Sequence, residues 1–250
     1  MNIREIQKKV DEFEERLDVV KKESPAIKWF FGDILSNIEA IGSLLKGKNQ
    51  DIFGEFIGGH VADIGAADGD VAFFLETLGY QCDIIDFPQY NYNGMAAAYH
   101  LKEALKSNVS IHEIDLDKRF EFPRRYDAVI FLGLLYHLRN PFFALETLAQ
   151  NTRYCFLSTR IARWVDSGFW PWQRRTYIRN SPVAYLLAPD ECNNDSTNYW
   201  IFSETGLRRI VERAGWEICD YISYGKRANS NPRDQKNDER AFMLLKSRFS

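Results

Sequence analysis

Apolar residues fall at Ile3, Ile6, Val10, Phe13, Leu17 and Val20, in alternating steps of three and four. That spacing draws one apolar seam along a helix over residues 1–22. The seam is shorter than three heptads, marginal for an independent coiled coil. Packing on the protein's own body is the first expectation, and a homodimer through this helix is the alternative. Ser24-Pro25 ends the helix, because proline disfavours helical geometry in the residue before it. Trp29, Phe30, Phe31, Ile34, Leu35, Ile38, Ile41, Leu44 and Leu45 then continue at helical spacing. Gly54, Gly58 and Gly59 punctuate the stretch before Val61, so residues 1–58 read as a helical lead-in.

From Val61 onward, strand-like and helix-like pieces alternate. Strands are expected at 61–64, 81–86, 109–114, 127–132 and 154–158, with helices at about 70–79, 96–106 and 141–150. Asn140-Pro141 is a good helix start: asparagine caps orphan N–H groups, and proline at the first helical position has none to waste. Such alternation predicts an α/β, doubly wound, mostly parallel sheet with helices on both faces. Sheets of this kind bind ligands at the carboxyl ends of their strands. The regularity stops at Thr159. Residues 160–202 lack a period and are rich in aromatics, and between 153 and 180 stand six arginines and one acid, Asp166. Ser203 caps a further helix to about Ala214, and 216–224 and 241–246 read as closing strands. The polar loop 225–240 has few apolar anchors and is expected to be mobile.

The 250 residues suit one large domain with an extension, and 45% hydrophobic with 27% charged residues is ordinary globular composition. A net charge of −3 argues against a general polyanion binder. Cys82, Cys155, Cys192 and Cys219 are widely spaced, which predicts neither a disulfide frame nor a zinc site. The N-terminus is charged where a signal peptide needs an apolar core, and no apolar run is long enough to span a bilayer. A cytoplasmic protein is expected.

The candidate chemistry centres on VADIGAADGD at 61–70. Gly65 and Gly69 bracket a strand-to-helix turn, where glycine permits positive φ and close approach of a ligand. Asp63, Asp86 and Asp115 stand at or just beyond the ends of three successive strands, so their carboxylates line one edge of a parallel sheet. A carboxylate after the second strand can accept both hydroxyl hydrogens of a ribose, and one after the third can accept from an exocyclic amine. Taken singly, each acid could equally be a helix cap or a solvated loop residue.

VADIGAADGD, followed by CDIID and YDAVIFLGLLYHLRNP, resembles the class I S-adenosylmethionine-dependent methyltransferases over roughly residues 59–160. LYHLRNP resembles the branch that includes the tRNA wobble-uridine carboxymethyltransferases. The resemblance implies a Rossmann-like, seven-stranded fold over 59–250, with S-adenosyl-L-methionine as cofactor and S-adenosyl-L-homocysteine as product. It implies that Asp63, Gly65, Ala66 and Gly69 hold the methionyl part. Asp86 and Phe87 go with the ribose, Asp115 and Leu116 with the adenine, and Leu132 with the same cofactor; Asp117 rivals Asp115. The turn departs from the commonest family form at Ala66 and Ala67, where glycine or cysteine often stands. A nicotinamide dehydrogenase would need G-x-G-x-x-G against its pyrophosphate. Here Ala67 and Asp70 occupy the third and sixth positions, and acids suit a cationic sulfonium better than a phosphate.

Methyl transfer needs an aligned nucleophile and, for a hydroxyl or ammonium acceptor, a base. His137, after the fourth strand, is the candidate base; hydrogen bonding to backbone would make it a loop-orienting residue instead. Tyr136 could border the sulfonium or belong to the core, and Arg139 could hold an anionic acceptor or pair with a surface acid. The insertion at 160–202 is the expected acceptor site, with Arg160, Asn193, Asn198, Tyr199 and Trp200 as candidates and Asn91, Tyr92 and Asn93 as additions. A satellite core beneath the loop is the other use for its aromatics. Three functions compete: methylation of a small polar acceptor, such as a sugar hydroxyl or natural-product intermediate; tRNA modification, including use of a carboxylated cofactor; and non-catalytic cofactor binding.

Overall fold

The computed structural model describes residues 3–167, 174–192, 194–233 and 235–249. The chain divides into two units, one running to Phe131 and the other from Leu132.

The first unit opens with α1 (Ile3–Glu23). Its seam residues Val10, Phe13 and Leu17 are buried, and the Phe13 ring lies 5.8 Å from that of Phe74. The seam therefore packs on the protein's own body. The second helix is shorter than its apolar spacing suggests: α2 spans only Asn37–Leu44. Residues 25–36 are drawn off by other partners. The Trp29 indole donates to the carbonyls of Lys21 and Ser24, closing the C-terminus of α1 (both 3.2 Å). The Phe30 amide donates to Asp68 (2.9 Å), and Ser36 closes a turn on Asp33. A backbone whose donors are claimed elsewhere does not form i→i−4 bonds.

After the short α3 (Ile52–Glu55), β1 (His60–Ile64) leads into α4 (Asp70–Thr77), followed by β2 (Gln81–Asp86), α5 (Ala96–Leu105), β3 (Ser110–Glu113) and β4 (Tyr126–Leu132). These strands lie in the order β4-β1-β2-β3, all parallel, with Val61 opposite Cys82 and Asp63 opposite Ile130. Every residue from Asp70 to Leu75 is buried in α4, so this helix is core rather than amphipathic, as its near-continuous apolar run implies.

The second unit holds a turn at Leu135–His137, then α6 (Pro141–Asn151) and β5 (Thr152–Ile161). The insertion forms a hairpin of β6 (Trp164–Ser167) and β7 (Arg174–Tyr177), and a pair of β8 (Ala184–Leu186) and β9 (Trp200–Phe202). Then come α7 (Glu204–Arg213), β10 (Trp216–Gly225) and β11 (Glu239–Ser247), with β11 antiparallel to both β10 and β5. Ser203 caps α7 by accepting from Gly206 N (2.9 Å). Beneath the insertion, Ala162, Ile178, Leu187, Cys192 and Ile201 form a satellite core. It is mostly aliphatic, while Trp164 and Tyr177 pair at 4.8 Å outside it.

The loop between β10 and β11 departs from expectation. Ser230 and Asn231 are buried, and buried Glu239 takes a two-pronged bond from Arg163 (both 2.6 Å) plus hydroxyl bonds from Ser223 and Ser230. Polar groups anchor this loop where apolar ones are lacking, because a buried charge must be fully partnered.

Truncation of Phe13 to alanine should destabilise the protein by about 3 kcal/mol, the usual cost of deleting a buried ring. Urea unfolding checks this; a change under about 1 kcal/mol would mean that α1 is not docked through its seam.

Candidate active site

In the first unit, the turn from Gly65 to Gly69 depends on left-handed backbone: φ is 69° at Gly65, 52° at Ala67 and 89° at Gly69. An L side chain at Gly69 would be strained by its φ of 89°, and its Cβ would also come within 2.6 Å of Ile84 Cδ1. Three N–H groups of the turn and one of the helix after it are engaged. Gly65 donates to Ile85 O, Gly69 to Ala66 O, Ala67 to Asp86 (3.2 Å) and Ala72 to Asp63 (3.2 Å). A pyrophosphate would need such donors free, whereas these carboxylates suit a cation.

Asp63 is buried, and burial pushes its carboxyl up to about 7, with the nearby charges of Asp86 and Asp70 adding to the effect against the Ala72 bond. Asp86 is also raised, again by burial first, although it accepts from Phe87 N (2.7 Å), Ala67 N and the Asn91 amide (2.8 Å). Two acids that resist ionisation together are stabilised by a ligand bringing positive charge and hydroxyl donors.

Asn91 holds this corner together. Its amide donates to both Asp86 and Ala67 O (2.9 Å), and its oxygen accepts from Asn93 N and Met95 N. The Asn93 amide donates to Asp68, which also accepts the Phe30 amide, and Lys21 bonds Asp70 at 2.8 Å. Asp68 and Asp70 thus tie the lead-in to the turn. Asp115 and Leu116 follow β3, where Ile114 N donates to Asp86 O. Asp115 accepts the Asp117 amide and pairs with Lys118 (3.1 Å), whose ammonium lies 5.6 Å from the Phe87 ring. The structure thus groups Asp63, Gly65, Ala66, Gly69, Asp86, Phe87 and the 115–118 segment on one sheet edge.

In the second unit, Leu132 is half-buried and Gly133 (φ 69°) donates to Ser158 O. Two groups converge over Gly133: a Cβ there would lie 3.4 Å from Arg240 Nη1 and 3.6 Å from the Tyr136 hydroxyl. Arg240 stands opposite Arg160 in the β5–β11 register. Burial raises the Tyr136 phenol while Arg240 and Arg160 oppose that rise, so it stays neutral. Arg160 donates to Cys192 Sγ (2.7 Å) and Asn231 O (3.0 Å). His137 Nδ1 lies 3.0 Å from Thr197 Oγ1 and 3.2 Å from Thr197 O, and burial lowers its pKa against the pull of Asp195. The imidazole is therefore neutral at pH 7. Arg139 Nε donates to the Tyr199 hydroxyl (2.9 Å), while Tyr199 N donates to Tyr136 O (2.8 Å). Buried Asn198 braces its loop by donating to Cys192 O. The Trp200 indole N–H is buried with no acceptor among the described residues. Asn193 lies outside the described residues.

Three residues gained roles that local sequence did not assign: Asn91 as the brace of Asp86, Arg240 beside Tyr136, and Thr197 against His137. Only the polar character of NYN and NNDST signalled any of them. Among the described residues no acid, histidine and cysteine cluster could hold a metal ion, and no helix is long and apolar enough to cross a membrane.

Residues 6–221 match the methyltransferase domain family. A curated relative, a tRNA U34 carboxymethyltransferase from Helicobacter pylori, is 25% identical over 186 residues, covering 72% of this chain and 63% of its own length. The chain therefore spans under two thirds of that relative. Among solved structures, the N-terminal domain of EvdMO1 with SAH bound aligns with a TM-score of 0.55 at 18% identity, covering 99% of this chain and 98% of its own. The glycopeptide N-methyltransferase MtfA, complexed with SAM, aligns at 0.52 and 12% identity, covering 86% and 95%. These likenesses place the fold as Rossmann-like, with a mostly parallel central sheet and flanking helices.

The raised Asp63 carboxyl fixes the sign of a pH dependence. Folded protein keeps the Asp63 proton that the unfolded chain releases above its ordinary pKa of 3.8. Stability from this group is present at low pH and is lost as pH rises towards 7. Replacement of Asp63 by asparagine should remove that slope. The ligand-free wild type should lose about 2–4 kcal/mol relative to the variant between pH 4.5 and 7.5, read by denaturant unfolding.

Proposed function

This chain belongs to the methyltransferase domain family, and from that premise we propose that it moves a methyl group from S-adenosyl-L-methionine to a small polar acceptor, leaving S-adenosyl-L-homocysteine. The observation that carries this reading is the glycine turn flanked by Asp63 and Asp86, which accept the Ala72 and Ala67 amides and whose carboxyls are both raised by burial. When bound, the cofactor supplies an electrophilic methyl on a positively charged sulfur.

Asp63 meets the cationic methionyl amine, which returns the carboxyl to its ionised form by replacing lost solvation with an opposite charge. Asp86, held by Asn91, accepts the ribose hydroxyls with Phe87 beside it, and Asp115 or Asp117 with Leu116 receives the adenine. Gly65, Ala66 and Gly69 bring backbone close to the methionyl end, and Leu132 lines the apolar wall. His137 takes the acceptor proton; Tyr136 and Arg139 orient the acceptor. Holding the nucleophile in line is worth about 7–11 kcal/mol at best, and the base a further 10²–10⁴-fold, roughly. Residues 1–58 are the lead-in and 59–250 the catalytic domain. The insertion at 160–202 binds the acceptor through Arg160, Tyr199, Trp200 and the asparagines of its polar cluster.

A second reading has its own support. Arg240 and the Tyr136 hydroxyl converge over Gly133, an arrangement that suits a carboxylate on the transferred group, and the Helicobacter relative is a carboxymethyltransferase of tRNA. In that reading the acceptor is a tRNA base and the cofactor is carboxylated.

Calorimetry separates the readings. Wild type should bind S-adenosyl-L-methionine, and Asp86→Ala should weaken that binding at least about tenfold through lost charge-assisted hydrogen bonds. Undetectable wild-type binding would sink the methyl-transfer reading, and unchanged affinity of the variant would sink the ribose assignment. Under the second reading the carboxylated cofactor binds more tightly than the methyl form, and Arg240→Ala abolishes that preference.

A further inference from the structure

The contacts of His137 decide which of its nitrogens is basic. Nδ1 faces the Thr197 carbonyl oxygen at 3.2 Å and the Thr197 hydroxyl at 3.0 Å. A carbonyl oxygen only accepts, so Nδ1 carries the proton. The hydroxyl agrees. Thr197 Oγ1 lies 2.7 Å from Asp195 Oδ1, and an ionised carboxylate also only accepts. The single hydroxyl hydrogen therefore points to Asp195, and the oxygen's lone pairs point to His137. In a neutral imidazole with Nδ1 protonated, Nε2 keeps the lone pair.

We propose that Thr197 and Asp195 are positioning residues that lock His137 with Nε2 as the open proton acceptor. The proposal rests on His137 being the base under the proposed function, and it assigns two loop residues to that chemistry. When the acceptor loses its proton, the acceptor O–H or N–H bond breaks and an Nε2–H bond forms. The ring becomes an imidazolium, while Nδ1–H stays bonded to Thr197. Asp195 stabilises the new charge through the hydroxyl, and the Nε2 proton then leaves to solvent.

The loop is preformed for this task. Asp195 Oδ1 also accepts Thr197 N (2.9 Å), Asn198 N donates to Asp195 O (3.1 Å), and Tyr199 N fastens the next residue to Tyr136 O. The groups around the ring act in opposite senses. Burial disfavours imidazolium, Arg240 adds to that, and Asp195 counters both. The Tyr136 ring lies 4.3 Å from the imidazole and stays neutral, while the Arg139 guanidinium is turned onto Tyr199. Asp195 is the anion that opposes the lowering of the His137 pKa by burial.

Nitrogen-15 NMR of histidine-labelled full-length protein tests this without an acceptor. At pH 8 wild-type His137 should give a protonated Nδ1 and a lone-pair Nε2. Asp195→Asn keeps an oxygen for both Thr197 bonds and removes only the charge, so the His137 pKa should fall by about 0.5–1 unit. Thr197→Val should mix the tautomers. In both variants the calorimetric affinity for S-adenosyl-L-methionine should match wild type, which separates positioning from folding. A protonated Nε2 in wild type, or an unmoved pKa in Asp195→Asn, overturns the proposal. Failure of wild type to bind the cofactor overturns the methyl-transfer reading instead, and the NMR tautomer distinguishes the two failures.

Discussion

Buried carboxylates need partners, and that requirement organises the first unit. Asp63, Asp68, Asp70 and Asp86 crowd about the turn from Gly65 to Gly69, and their solvation must be replaced by donors. Backbone amides of the turn, the side chains of Asn91 and Asn93, the Phe30 amide and Lys21 supply them. The same demand explains the unexpected course of residues 25–36. They forgo helix so that one amide reaches Asp68 and one indole closes α1. The arrangement leaves Asp63 incompletely compensated, with its carboxyl lifted to about 7. A site that resists holding its own negative charge gains from a ligand that brings positive charge, which links local structure directly to cofactor choice.

The second unit meets a different shortage. Its insertion rests on a small apolar core, whereas the loop before β11 has few apolar anchors and takes its order from charge-assisted bonds. Arg163 and Ser230 converge on Glu239, and Arg160 spans Cys192 and Asn231. Such networks are directional, and each member fixes the position of the next. The consequence is a polar surface with set geometry: Tyr136 beside Arg240, His137 against Thr197, Tyr199 held by Arg139. Arrangements of this sort discriminate among ligands in general, since unpaired polar partners penalise a ligand that cannot answer them.

The family relation and the site geometry address different parts of the function. Likeness over residues 6–221 concerns the family and the fold that carries it. The Helicobacter enzyme and the glycopeptide N-methyltransferase differ in what they act on, as a shared fold permits. A shared fold does not by itself assign an acceptor.

Local chemistry was enough to read the alternating strands and helices, the glycine turn, the Asn140-Pro141 start and the Ser203 cap, because each depends on residues within a few positions of one another. Aspartates at successive strand ends were legible for a related reason: parallel pairing brings ends together wherever the alternation holds. Other features were settled only by tertiary contact. The shortened α2 follows from Phe30 meeting Asp68, thirty-eight residues away. The anchored loop follows from Arg163 meeting Glu239, seventy-six residues away, and the tautomer of His137 from Thr197, sixty residues away. No periodicity encodes such pairs, since the partner of a polar side chain is whichever group the packed backbone delivers to it. Near neighbours in the chain were sufficient for the frame and for the acids gathered at its strand ends. Within each unit, which nitrogen, which arginine and which asparagine complete a cluster came only with the packing of distant segments.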